Sequence, residues 1–167
     1  MFWMDIITAI KPMQPKATAP HTTQRTTPMS QPTDHNLTEV ERAMVDISCV
    51  MLIADGELGE EEEDFLVGFL SSMFGVDSET AEALAQDSYD RMESFVGLNP
   101  IIDDIVARLK TDEDAERAFR CAVATMLADG EPTEGEQRVL GKLKRRLGYD
   151  GQTAVAIIHE VEAMLAQ

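Results

Sequence analysis

From residue 37 onward the apolar positions recur at helical rather than alternating spacing. Val40, Met44, Ile47, Met51 and Ala54 form one stripe, with Ala43 and Val50 at its edge. Thr38 is placed to cap that helix, Glu41 to close a capping box, and Gly56 to end it in a left-handed conformation. A second helix is predicted over about 60–74, with Phe65, Leu66, Phe69, Leu70 and Met73 on one face and Gly75 as its stop. Asp77 caps a third, running through Leu84, Ala85, Ser88 and Met92. A fourth begins near Asn99-Pro100, with Pro100 at its first position and Ile101, Ile102, Ile105, Val106 and Leu109 along it. Two more are predicted over about 113–128 (Ala118, Phe119, Ala122, Met126) and 134–147 (Val139, Leu140, Leu143, Leu147). Asp150 opens a last helix through Ala154, Ile157, Ile158, Val161 and Leu165. No segment alternates with a period of two. The pattern therefore predicts an all-α bundle of about seven helices.

Ahead of residue 37 the pattern is different. Residues 11–36 hold five of the seven prolines among Thr, Gln, Lys and Ser, with few large apolar side chains. Such a segment buries too little surface to offset its ordering entropy, so residues 1–36 read as a disordered Pro/Thr-rich leader and 37–167 as the folded domain. The opening MFWMDIITAI lacks a basic start and is cut short by Lys11-Pro12, which argues against a signal peptide. No stretch approaches the length of a membrane-spanning helix. The expectation is a soluble, cytoplasmic chain without direct membrane insertion.

The pattern also repeats. Ala54-Asp55-Gly56-Glu57 returns as Ala128-Asp129-Gly130-Glu131, seventy-four residues later. After the first copy come Glu60, Glu62, Leu66, Leu70 and Gly75-Val76-Asp77; after the second come Glu134, Glu136, Leu140, Leu143 and Gly148-Tyr149-Asp150. What recurs is a whole helix–turn–helix, which places two acidic clusters at matching points of the fold.

Composition narrows the chemistry. The formal charge is −17, and because residues 1–36 carry a net +1, the remainder holds −18. A body that acidic repels phosphates, so nucleic acid is excluded as a partner, and anionic lipid is repelled too. Metal cations and basic protein surfaces fit better. Cys49 and Cys121 lie within predicted helices and have no zinc-type spacing to His21, His35 or His159, so they read as small buried hydrophobes in a reducing compartment. Arg138, Lys142, Lys144, Arg145 and Arg146 form the one basic cluster, on a helix whose C-terminal dipole they suit. Their alternative use is docking to an acidic surface. His159 has no nucleophile near it in sequence, and no phosphate-binding loop, nucleophile elbow or metalloprotease signature is present. The chain reads as non-enzymatic.

At each acidic turn a helix ends with free carbonyls, the chain bends at Gly, and the next helix starts with glutamates. Asp55, Glu57, Glu60 and Glu62 crowd the first turn, and Asp129, Glu131, Glu134 and Glu136 the second. Hard divalent cations take such all-oxygen shells, and an ion would relieve the repulsion between the carboxylates. Neither turn is an EF-hand loop. With Asp55 at the fifth loop position, Glu62 reaches the twelfth, yet the first and third fall on Met51 and Ile53, or on Thr125 and Leu127 in the second copy. A plainer role competes with metal: Thr133 and Glu136 form a capping-box sequence, Glu62 holds the equivalent position after Gly59, and acids in a first helical turn complement its dipole. Spacing leaves both open.

The paired pattern resembles the tellurite-resistance TerB family and the wider TerB-like domain. Its carriers are Asp55, Gly56, Glu62, Gly75 and Asp77, then Asp129, Gly130, Glu136, Gly148 and Asp150, with Phe65 to Leu70 fitting the same pattern over about residues 37–150. The resemblance implies an all-helical domain whose two repeats are related by pseudo-twofold symmetry, with acidic metal-chelating sites. Asp55, Glu62, Asp129 and Glu136 are then the primary ligands of a divalent cation (Ca²⁺, Mg²⁺ or Zn²⁺), assisted by Glu57, Glu60, Glu131 and Glu134. The implied role is tellurite resistance or a related chemical or envelope stress response, with protein partners that include membrane-associated stress-response proteins. The alternative is a metal-independent interaction scaffold, or a co-chaperone-like domain, that docks partners through its acidic surface.

Overall fold

The computed structural model describes residues 36–56, 59–128 and 130–167, the Asp55 side chain excepted. The leader assigned to residues 1–36 falls, but for Asn36, outside that range. Among the described residues the chain is all-α and contains no strand. Seven α-helices follow one another: α1 (Glu39–Leu52), α2 (Glu60–Phe74), α3 (Ser78–Glu93), α4 (Leu98–Arg108), α5 (Asp112–Ala128), α6 (Glu134–Leu147) and α7 (Gly151–Leu165).

The helix ends follow their caps. Thr38 accepts a bond from the Glu41 amide at 3.2 Å while the Glu41 carboxylate accepts from the Thr38 amide at 2.7 Å. Asp77 accepts from the Thr80 amide at 2.8 Å and Asp150 from the Thr153 amide at 2.7 Å, so α3 and α7 begin on equivalent aspartates. Each follows a left-handed glycine, Gly75 (φ 66°) and Gly148 (φ 74°). Past these glycines the Val76 amide bonds the Ser71 carbonyl and the Tyr149 amide the Lys144 carbonyl, both at 3.1 Å. That geometry satisfies carbonyls that a helix end leaves open.

Two expectations need correction. The fourth helix starts at Leu98, not at Asn99-Pro100, because Gly97 (φ 88°) makes the swing that precedes it. Pro100 is therefore its third residue, where the missing N–H still costs nothing, since the first turn's amides have no helical partner. The first helix is also not a one-sided stripe. All ten residues from Ala43 to Leu52 are buried, since α2, α3, α4, α5 and α6 each pack against α1. A helix stretch covered on every side has to be apolar all round, and residues 43–52 of α1 are, apart from Asp46 and Ser48. Around it Leu66, Phe69 and Leu70 from α2, Ile102 and Ile105 from α4, Phe119 from α5 and Leu143 from α6 complete the core. Phe119 meets Tyr149 edge-on at 5.4 Å, which fixes the start of α7 against α5.

Candidate functional site

The first acidic turn is built by the end of α1. The helix tightens into a 3₁₀ turn over Ile53–Asp55, and Gly56 (φ 107°) then reverses the chain, its amide bonding the Ile53 carbonyl at 3.0 Å. Gly56 thus ends the helical run in the left-handed conformation expected of it, although the last turn is 3₁₀ rather than α. The second turn follows α5 directly and contains Gly130 (φ 119°). At both glycines a side chain would strain the backbone rather than clash, since no atom lies near the position of a Cβ.

The two glutamates seven residues past each aspartate are capping residues. Glu136 is 3% exposed. Its Oε2 accepts from the Thr133 amide at 2.9 Å and from the Thr133 hydroxyl at 3.3 Å, and its own amide donates to Thr133 Oγ1 at 3.2 Å. Glu62 Oε2 accepts from the Gly59 amide at 2.7 Å. Gly59 has no side chain to return the bond, so the first turn keeps half of the capping box. Glu60, Glu131 and Glu134 are exposed and have no hydrogen-bond or ion-pair partner among the described residues. Asp129, Glu57 and the Asp55 side chain fall outside those residues. Within them, no group of three or more His, Cys, Asp or Glu side chains is placed to share one metal ion.

The two turns are neighbours in space although seventy-four residues apart in sequence. The 3₁₀ turn packs on α6. Ala54, next to Asp55, and Gly135, between Glu134 and Glu136, line one cleft of about 300 Å³ together with Val50, Ile53, Leu98 and Val139. Carboxylate oxygens from both turns are hard donors of the kind that Ca²⁺ and Mg²⁺ take. A carboxylate has two oxygens, so a cap bond through one leaves ligation by the other chemically compatible.

The basic cluster is partly absorbed within the molecule. Lys142 Nζ donates to Asn99 Oδ1 at 2.6 Å, and Arg146 pairs with Asp103, so α6 is fastened to α4. Arg138 and Lys142 also border the cleft between the acidic turns. His159 is exposed on α7. Cys49 and Cys121 are buried as expected. Burial pushes the Cys49 thiol up to about 12 and the Cys121 thiol to about 11, which leaves both protonated and unreactive at neutral pH.

One charged group escaped the reading of the sequence. Asp46, 3% exposed, lies in the middle of α1. Its Oδ1 accepts from Ser88 Oγ and from Arg91, both at 2.6 Å, and its Oδ2 accepts from Arg108 at 2.5 Å. Arg108 also reaches Asp104 at 2.8 Å. The cluster ties α1 to α3 and α4 from inside. The signal was an acid within an otherwise apolar helix, but chain spacing does not say which arginines face it.

An all-α fold with duplicated acidic helix–turn–helix units defines a recognisable class. A family model described as Tellurite resistance protein TerB matches residues 33–158, and the chain belongs to that family. No curated protein and no solved structure gives a match. Among the described residues no helix is long and apolar enough to cross a membrane.

Proposed function

We propose that this chain is a non-enzymatic, cytoplasmic member of the TerB family that binds a divalent cation at its paired acidic turns. Its role would lie in tellurite resistance or a related chemical or envelope stress response, in which its partners are other proteins, membrane-associated ones included. Asp55, Glu62, Asp129 and Glu136 are assigned as primary ligands, with Glu57, Glu60, Glu131 and Glu134 completing the shell. One observation carries the reading: two turns distant in sequence meet at one cleft, where Ala54, the neighbour of Asp55, and Gly135, the neighbour of Glu134 and Glu136, both form its lining. An all-oxygen donor set favours Ca²⁺ or Mg²⁺ over Zn²⁺, which prefers nitrogen and sulfur.

Thermal unfolding with added Ca²⁺, Mg²⁺ or Zn²⁺ tests this. A cation that binds only the folded state stabilises it by RT ln(1 + [L]/Kd), about 2.7 kcal/mol at a hundredfold excess over Kd. Asp55→Asn and Asp129→Asn should remove that shift and leave the metal-free midpoint unchanged. No shift with any of the three ions at millimolar concentration would overturn the proposal.

A further inference from the structure

A second cleft, of about 500 Å³, shares Ile53 and Ile101 with the one between the acidic turns. Its floor is apolar, made by Ile53, Met92, Ile101 and the ring of Tyr89. Glu63, in the first turn of α2, and Glu93, the last residue of α3, stand at its rim. Both glutamates are exposed, and neither has a hydrogen-bond or ion-pair partner among the described residues. Elsewhere the acids beside arginines are used: Asp46, Asp103, Asp104, Glu116 and Glu160 are all ion-paired. Three residues past Glu93 in the chain, Val96 is 95% exposed.

We infer that this cleft docks a cationic amphipathic helix of a partner protein. The apolar floor takes the hydrophobic face, and Glu63 and Glu93 take Lys or Arg on its flanks. The chain's charge of −17 steers a basic segment toward it and away from acidic ones. The described residues offer no sheet edge that could pair with an extended peptide, so recognition rests on side chains entering the cleft, as helix-in-groove binding does. Glu63 follows the proposed ligand Glu62 and the two clefts share Ile53 and Ile101, so the docking is tested without metal.

The test is fluorescence anisotropy with a labelled synthetic helix, about 18 residues of Leu and Lys spaced at i, i+3, i+4 and i+7. It uses the full chain in EDTA at about 0.15 M NaCl, where long-range attraction is screened. The amphipathic peptide should bind at least about tenfold more tightly than a scrambled peptide of the same composition. The double variant Glu63→Gln/Glu93→Gln should lose about tenfold in affinity, while Glu79→Gln/Glu82→Gln, which neutralises exposed acids on α3, should not. Equal binding of the scrambled peptide, or unchanged affinity in the Glu63/Glu93 variant, overturns the inference. So does an affinity gain of about tenfold on deleting residues 1–35, which would assign the cleft to the chain's own leader. Self-association abolished by the same double variant would assign it to a second copy and overturn it equally.

Discussion

Asp46 is where a single side chain matters most. A carboxylate enclosed by core helices is held there by three charge-assisted or short hydrogen bonds, from Ser88, Arg91 and Arg108. Removing it takes the carboxylate partner from Arg91, 39% exposed, and leaves Arg108, 15% exposed, with Asp104 alone. Water can still reach Arg91, so the loss belongs at the lower end for a broken buried pair. Asp46→Ala should destabilise the chain by about 3 kcal/mol in urea unfolding. A cost under about 1 kcal/mol would mean that the arginines re-solvate freely and the cluster is ornamental to stability.

For the elements, the local grammar was legible and the junctions less so. Thr38, Asp77, Thr133 and Asp150 begin helices as their side-chain chemistry predicts, because an N-cap bond needs only residues three apart. Thr111 and Asp114 form a similar reciprocal cap on α5 at 3.0 and 3.2 Å that the pattern of apolar residues did not mark. Pro100 misled by two positions, since the deciding feature was the positive φ of Gly97, which composition does not announce. The glutamates of the acidic turns combine a cap role with a proposed ligand role, and substitution separates the two. Glutamine keeps the cap acceptor and loses the charge, whereas alanine loses both. Glu136→Ala should cost about 1 kcal/mol without metal, and Glu136→Gln only a few tenths. Thermal midpoints of the two metal-free variants decide it; equal losses would assign Glu136 a charge-dependent role beyond the cap.

Across the whole molecule, the all-α class and the succession of seven helices could be read from periodicity, as could the acidic turns. What could not be read was proximity. Nothing in the spacing of Ala54 and Gly135 says that they share a cleft, and nothing in α1 says that five helices surround it. That enclosure also sets the response to pH. Burial holds the Cys49 and Cys121 thiols at about 12 and 11 and raises the Tyr89 phenol as well. In the unfolded chain the thiols ionise near their ordinary value, so their contribution is complete below about pH 8.5 and is lost as pH rises toward 11–12. Urea midpoints should accordingly fall steeply above about pH 9. Thiol-reactive dye at pH 8 should label neither cysteine faster than global unfolding permits; rapid labelling of the native chain would contradict the enclosure of α1.

The position of α1 in the chain has a consequence for how the protein is made. The helix at the centre of the bundle is the first of the seven to be synthesised, and its cover is supplied by helices that come later. Its Ser48 meets Cys121 of α5 across 73 residues. At about 5–20 residues per second, translation leaves that apolar helix uncovered for several seconds. Until α5 and α6 emerge, the nascent chain displays the helix that the finished bundle buries most completely, which makes it a client for whatever chaperone waits at the tunnel exit.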